Sequence, residues 1–427
     1  MTLQEAKKIY FYENRKKENL KFTKKRTLTK RGVVWLGQTC NLNCYFCYFR
    51  DKIDDKEHPE HPFMSLEKAK KIMHTLRYVY ANNAVDIQGG EPTIYPKIFE
   101  LIEYCNEIGL APTLITNGIV LANEEMTKKF KDAGVKDFLF SIHAIGEEYD
   151  RIVGLRGGSK KQMKALYNLQ KYEIPFRLNC TMTKEAGKQL VDIATLAVET
   201  GARVVNFIAF NPFADQQGNR NLTDVPRYSD LKENLQKAID LLEENNIEVN
   251  VRYFPICMLD EKYRKNIYNF QQLPYDHHEW DYNSWTWTTR FNQKTKWNEL
   301  DKPIPILLYN LKEYNGIDFS EWSEHGTKKH YYKDVSDYEM FELMLKLFSA
   351  DVPKELLYKN NAKLRAEKHT GYKKSEICKN CDIEDICDGF HGDYAEVFGM
   401  EEAKAIKVGK KITDPKFYIK EQLKVVD

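Results

Sequence analysis

The sequence predicts an α/β protein: a partial (β/α)6 barrel followed by a small α+β domain with an aromatic-rich insertion. Three observations carry that expectation. Between residues 32 and 212, six short apolar strands alternate with helices of ten or more residues, a rhythm that calls for parallel pairing through right-handed crossovers. After Pro212 the rhythm breaks, and five of the six tryptophans (Trp280, Trp285, Trp287, Trp297 and Trp322) fall between 258 and 377. Seven of the nine cysteines fall in or near patterned positions: three behind the first strand, three at 378–387, and Cys257 between them.

In chain order, residues 1–31 carry eleven Lys and Arg against three acids and read as a solvated basic arm. A strand is expected over 33–36, running into Cys40. The stretch DKIDDKEHPEHP at 51–62 is charged, holds two prolines and reads as a loop; its two histidines beside acids are a weaker metal candidate. Ser65 is placed as the N-cap of a helix over 66–80, where Leu66, Ala69, Ile72, Met73, Leu76 and Val79 recur at helical spacing. Strands follow over 84–88, 112–115, 137–142, 176–182 and 204–210, with helices over 97–108, 124–133, 160–172 and 187–200. A helix over 227–245 and a strand over 248–253 lead to Cys257. In barrels of this kind ligands sit at the C-terminal ends of the strands. The expected division is a basic N-terminal arm (1–31), a barrel core (32–226), a helix–strand extension with the first later cysteine (227–257), an aromatic-rich insertion (258–377), and a cysteine cluster with C-terminal tail (378–427).

Lys+Arg is 65 and Asp+Glu is 63, a net charge of +2; a general polyanion binder is more basic, so no nucleic acid partner is expected. No apolar run approaches the length that spans a bilayer, and the N-terminus lacks an apolar signal region. A cytoplasmic protein with no membrane partner is therefore expected. Thiols stay reduced there, so clustered cysteines point to metal or iron–sulfur ligation rather than disulfides.

The run CNLNCYFC at 40–47 puts Cys40, Cys44 and Cys47 on one loop. Three thiolates can hold three irons of a cubane and leave the fourth iron open. Zinc, with a fourth ligand from elsewhere, is the rival. Other marks stand beside this one: Phe46 before the last cysteine, Gly89-Gly90-Glu91-Pro92 after the second strand, Thr116-Asn117-Gly118 after the third, and Ser141-Ile-His-Ala at the fourth, followed by YDRIVGLRGGS. Together they resemble the radical S-adenosylmethionine (radical SAM) superfamily over roughly residues 32–212.

That resemblance implies a [4Fe–4S] cluster on the three cysteines, S-adenosylmethionine (SAM) chelated by the open iron, and its reductive cleavage to a 5′-deoxyadenosyl radical that abstracts hydrogen from a substrate. It implies cofactor contacts from Phe46, Gly89, Gly90, Glu91, Asn117, Ser141, Arg156, Asn179 and Ile208. The glycines let backbone approach the methionine end. Glu91 is expected to accept from its amino group, and Arg156 to face its carboxylate, with Arg151 as a weaker alternative. Asn179 shares a polar strand face with Arg177 and Thr181, while Leu178, Cys180 and Met182 face helices. Ile208 and Phe210, late in the sixth strand, are expected near the adenine. Cys105 and Cys180 read as core.

Four cysteines remain: Cys257, Cys378, Cys381 and Cys387. Their local pattern, with Gly389 and later Tyr394 and Phe398-Gly399, resembles the C-terminal extension of SPASM/twitch radical SAM proteins, the short twitch version fitting better. The resemblance implies one auxiliary [4Fe–4S] cluster; a zinc ribbon is the rival. The insertion is expected either to lid a cleft or to form its own small core. The substrate is expected to be a small polar, carbohydrate-like molecule, with a peptide or protein as the alternative; a zinc-binding interaction module is the remote alternative to an enzyme. A flavodoxin or ferredoxin is the expected electron donor.

Overall fold

Period-two alternation of buried apolar and polar residues builds the central sheet of the computed structural model. The structure describes residues 2–10, 20–47, 61–78, 82–210, 224–279 and 371–426, with short pieces at 53, 56–57, 285–286, 304–305, 313–314, 317–318, 362–363 and 366. A short strand β1 (Lys21–Thr23) precedes β2 (Arg31–Trp35), β3 (Ala84–Gln88), β4 (Ala111–Thr116), β5 (Asp137–Ser141), β6 (Phe176–Met182), β7 (Val204–Ala209), β8 (Glu248–Arg252) and β9 (Ile267–Tyr268). Strands β2 to β9 lie side by side in sequence order, every neighbour parallel. Trp285–Thr286 pairs parallel on the free side of β2 and Ile304–Pro305 follows it antiparallel. The six expected strands are all present, and β8 extends the same sheet, in register with β7.

Helices cover the outer face: α1 (Leu3–Tyr10), α2 (Leu66–Tyr78), α3 (Ile98–Glu107), α4 (Glu124–Asp132), α5 (Glu147–Val153), α6 (Gly158–Lys171), α7 (Lys184–Lys188), α8 (Leu190–Thr200) and α9 (Tyr228–Glu244). Ser65 Oγ accepts from Lys68 N at 3.2 Å, the N-cap bond expected for α2. Val34, Ile87, Phe138, Leu178 and Phe207 point outward into one apolar core with Ile72, Leu101 and Leu166 of the helices. Each such side chain contributes about 1.5–3 kcal/mol on burial.

Three expectations need correction. The helix expected over 187–200 is two, because Gln189 leaves helical geometry (φ −113°, ψ 13°) and its Oε1 accepts from Ile145 N at 2.7 Å. Helix α5 was read only as an Arg/Gly segment; it is short, and Gly154 ends it in the left-handed region. The N-terminal arm is not solvated throughout. Ala6 of α1 is fully buried in the core, Lys7 pairs with Glu199, and β1 pairs antiparallel with the C-terminal strand Lys424–Val426. The Trp280, Trp287, Trp297 and Trp322 readings, and most of the 51–62 loop, lie outside the described residues.

The inner face of the sheet is polar and buried. Arg31 Nη1 donates to Asp86 Oδ1 (3.1 Å) and Thr113 Oγ1 (3.0 Å), and Arg177 Nε to Asp137 Oδ2 (2.7 Å). Arg252 binds Asp276 (2.7 Å) and Glu279, and fully buried Lys424 binds Asp276 (2.9 Å) and Glu248. Segment 273–279 and the C-terminal strand thus plug the floor of the half-barrel. Asn179, Asn206 and Asn250 share one register level across β6, β7 and β8, and Asn250 Oδ1 joins the floor by accepting from Lys424 Nζ (3.0 Å).

Candidate active site and second cysteine set

The sheet sets Gly89 and Gly90 directly behind β3, against the chain that leaves β2. Gly90 N donates to Gly37 O (3.0 Å) and Glu91 N to Thr39 O (2.8 Å). A Cβ on Gly90 would stand 2.1 Å from Thr39 O, so no other residue permits this approach. Gly89 adds a φ of 145°, a conformation closed to most side chains. The cysteine loop begins one residue later. Its far side is fixed by the end of α5, where Val153 O and Ile152 O accept from Asn43 N (3.0 Å) and Tyr45 N (3.2 Å). Leu42, Ala144, Tyr149, Ile152 and Val153 form a separate apolar cluster against which Cys40, Cys44 and Phe46 pack.

Burial pushes the Cys40 thiol up to about 12, and nearby Glu91 adds to the rise; the Leu42 and Asn41 amides pull it the other way. Asn117 Nδ2 stands 3.9 Å from Cys40 Sγ. A thiol so placed gives up its proton on binding a metal centre. Three thiols on one loop, amide donors at the first sulfur and an apolar collar fit a thiolate-bound cluster. Among the described residues no group of three or more His, Cys, Asp or Glu side chains is placed to hold a metal ion. Cubane ligands attach to separate irons and do not converge on one point as the ligands of a single ion do.

The structure gives Glu91 a different task from the one expected. Its carboxylate is 1% exposed. It accepts from Thr93 N (3.0 Å), Thr93 Oγ1, Thr116 Oγ1 (2.7 Å) and Asn117 N (2.8 Å). It therefore ties the loop after β3 to the loop after β4. Burial raises its carboxyl above the ordinary range, against the pull of those donors. Asn117 in turn donates from Nδ2 to Asn41 Oδ1 (2.7 Å), so the Glu91 tie reaches the cysteine loop.

Phe46 sits edge-on to His143 (4.7 Å between centroids) and Phe210 (5.8 Å). His143 had no assigned role. Its Nδ1 accepts from Thr181 N (3.2 Å), and burial pushes it down to about 4, so the ring is neutral. Ser141 and Asn179 face each other in register, both half-buried; Ser141 O accepts from Gln162 Nε2 (2.7 Å). Ile208 is half-buried at the register level of Thr181. Arg156 is exposed, and Arg151 is committed elsewhere, bound to Glu148 (2.7 Å) and lying 5.8 Å over the Tyr45 ring.

Cys257, although far from the others in sequence, lies within electrostatic reach of Cys378, Cys381 and Cys387. Burial raises the Cys257 thiol; the Lys404 amide opposes this, and neighbouring Cys378 and Cys381 add to it. Cys387 is pushed up to about 12 by burial, then by Cys257 and Asp388. Ile406 N donates to Cys381 Sγ at 3.3 Å. Cys105 and Cys180 are fully buried in the apolar core.

Residues 36–197 match the model of the radical SAM superfamily. Fold, loop and match agree over this segment, which is similar to the radical SAM domain. The cofactors of that class are a [4Fe–4S] cluster and SAM. Among similar proteins, the Fe-coproporphyrin III synthase of Methanosarcina barkeri is 27% identical over 56% of this chain and 57% of its own. The AdoMet-dependent heme synthase of the same organism is 26% identical over 54% and 63%. The PqqA peptide cyclase of Bradyrhizobium diazoefficiens is 25% identical over 40% and 43%. The chain thus spans about three fifths of the length of the first two. Streptococcus suis SuiB bound to precursor peptide SuiA superposes with a TM-score of 0.43 at 19% identity, over 52% of this chain and 49% of that one. No described helix is long and apolar enough to cross a membrane.

Proposed function

We propose that Cys40, Cys44 and Cys47 hold a SAM-binding [4Fe–4S] cluster and that the enzyme abstracts hydrogen from a small polar, carbohydrate-like substrate. The observation that carries this reading is the clamping of the three-cysteine loop onto the glycine turn at the C-terminal edge of a parallel sheet. When bound, the cluster and SAM supply a 5′-deoxyadenosyl radical on one-electron reduction. The chain's own residues do the rest. Gly89 and Gly90 offer backbone to the methionine end. Asn117 braces Cys40 and Asn41, and Phe46, held between His143 and Phe210, walls the site from water. Ser141, Asn179 and Ile208 line the inner face beside it, and Arg156, exposed beyond the end of α5, is the carboxylate partner.

Cys257, Cys378, Cys381 and Cys387 would hold one auxiliary [4Fe–4S] cluster in the 378–427 segment. The small-molecule reading is supported by half-buried Asn179 and Ser141, side by side on the inner face and suited to hydroxyl groups. Relatives named for porphyrin and heme synthesis favour a non-peptide substrate more generally. A peptide substrate is the second reading, favoured by the match to a peptide cyclase. A flavodoxin or ferredoxin would supply electrons, in the cytoplasm.

The test is anaerobic reconstitution with dithionite and SAM, followed by measurement of 5′-deoxyadenosine. Cys44→Ala is expected to abolish it, while Cys381→Ala retains part of the uncoupled cleavage. Wild-type protein that loads iron and forms no 5′-deoxyadenosine would defeat the proposal.

A further inference from the structure

The four later cysteines are overlaid by a segment with no assigned role, residues 404–412. Ile406 N donates to Cys381 Sγ at 3.3 Å, and the Lys404 amide lies close enough to Cys257 to lower its thiol against burial. The segment is pinned to the residues beside Cys381 at several further points. Asp382 N donates to Ile406 O (2.8 Å), and Asp382 Oδ2 accepts from Val408 N (2.7 Å) and Gly409 N (3.0 Å). Ile412 N donates to Asp382 O (2.8 Å), and Lys411 Nζ to Cys381 O (2.8 Å). Ile406 is itself 5% exposed, so its amide meets the sulfur out of water.

We propose that residues 404–412 form a strap whose Lys404 and Ile406 amides set the reduction potential of the cluster on Cys257, Cys378, Cys381 and Cys387. This rests on the reading of those four cysteines as a cluster site. Reduction adds one negative charge to a cluster and spreads it over the sulfurs. An N–H aimed at a ligand sulfur stabilises the reduced state more than the oxidised one, and so raises the potential. The bond is stronger because water is excluded. Here Ile406 reaches Cys381 directly, and Lys404 lies beside Cys257 on the same segment. Asp382 gathers that segment with its carboxylate, its amide and its carbonyl, so the donors are held in place when the charge changes. The strap residues act through the sulfurs and are positioning residues.

The test is an EPR-monitored redox titration of the reconstituted full chain, with iron counted in each sample. Ile406→Pro deletes one donor, and Ile406→Val keeps it. Lys404→Pro deletes the other, with Lys404→Ala as the control for lost charge. Each proline variant is expected to lower the potential of the second cluster relative to its control, with the first cluster's potential unmoved. Wild-type protein that binds only about four irons would remove the underlying reading, since two cubanes need about eight. Full iron with an unshifted potential in both proline variants would overturn the strap alone. So would failure of both to hold the second cluster while the controls hold it, since the strap would then be an assembly element.

Discussion

Glu91→Gln tests whether one buried carboxylate holds the cofactor loops in place. The geometry fixes how the glutamine must sit. Oε1 receives three donors, from Thr93 N, Thr93 Oγ1 and Thr116 Oγ1, and Oε2 receives one, from Asn117 N. The amide oxygen will take the position with three donors. The amide NH2 then faces Asn117 N–H, donor against donor. One bond to a charged acceptor is lost, at about 1.5–3 kcal/mol. The other three weaken by roughly half as the acceptor becomes neutral. Cheaper burial of a neutral amide offsets part of this. The net loss is about 2–4 kcal/mol of stability, read from the urea midpoint of the apo protein under anaerobic conditions. Asn117 then loses its backbone anchor, so 5′-deoxyadenosine formation should fall more than iron binding. A loss under about 0.5 kcal/mol with unchanged cofactor cleavage would refute the reasoning, because that is the size of an ordinary surface substitution.

Gly90→Ala forces a Cβ to 2.1 Å from Thr39 O, and is expected to displace the cysteine loop and cut iron loading at the first cluster, measured by iron content after reconstitution. Lys424→Met leaves Glu248 and Asp276 without their shared cation, at about 3–5 kcal/mol in thermal or urea unfolding, with part of the loss recovered by Glu248→Gln in the double variant. Acid should destabilise the fold. Asp137 is held below the carboxylate range by Arg177 and Arg31 against burial, and Glu248 by Lys424 against burial. Lowered folded-state values mean full stability above the unfolded carboxylate range and loss as pH falls below it, at about 1.4 kcal/mol per unit of lowering. Asp86, raised by burial, runs the other way and blunts the slope; a midpoint that stays flat from pH 6 to 3 would contradict the expectation.

Much of the barrel was legible because its strands and helices keep their periods. Strands 84–88 and 176–182 match β3 and β6 residue for residue, and Leu178, Cys180 and Met182 face the helices as alternation requires. The glycine turn and the cysteine loop were legible because tight geometry and thiolate chemistry restrict which residues can stand there. The floor was not. Arg31, Asp86, Thr113 and Asp137 each look like the polar half of an exposed strand, and only the curl of the sheet turns them toward one another. Lys424 looked like a tail lysine, since nothing local announces a partner 148 residues away. The bracing role of Glu91 was hidden for a related reason: two of its four donors come from a loop 25 and 26 residues further on.

The floor also bears on how the chain reaches its folded state. Lys21 pairs with Val426, and the Val425 amide meets a Glu248 carboxylate 177 residues away, so the contacts that seal the half-barrel close very long loops. Such closures cost chain entropy before they return any contact, and slow the search. The strand–helix units can condense early from near neighbours. Glu248 and Asp276 then wait, hydrated, for Lys424, and the bore admits water until that ammonium arrives. Sealing the floor therefore closes some of the longest loops in the chain and carries a high entropy cost of closure.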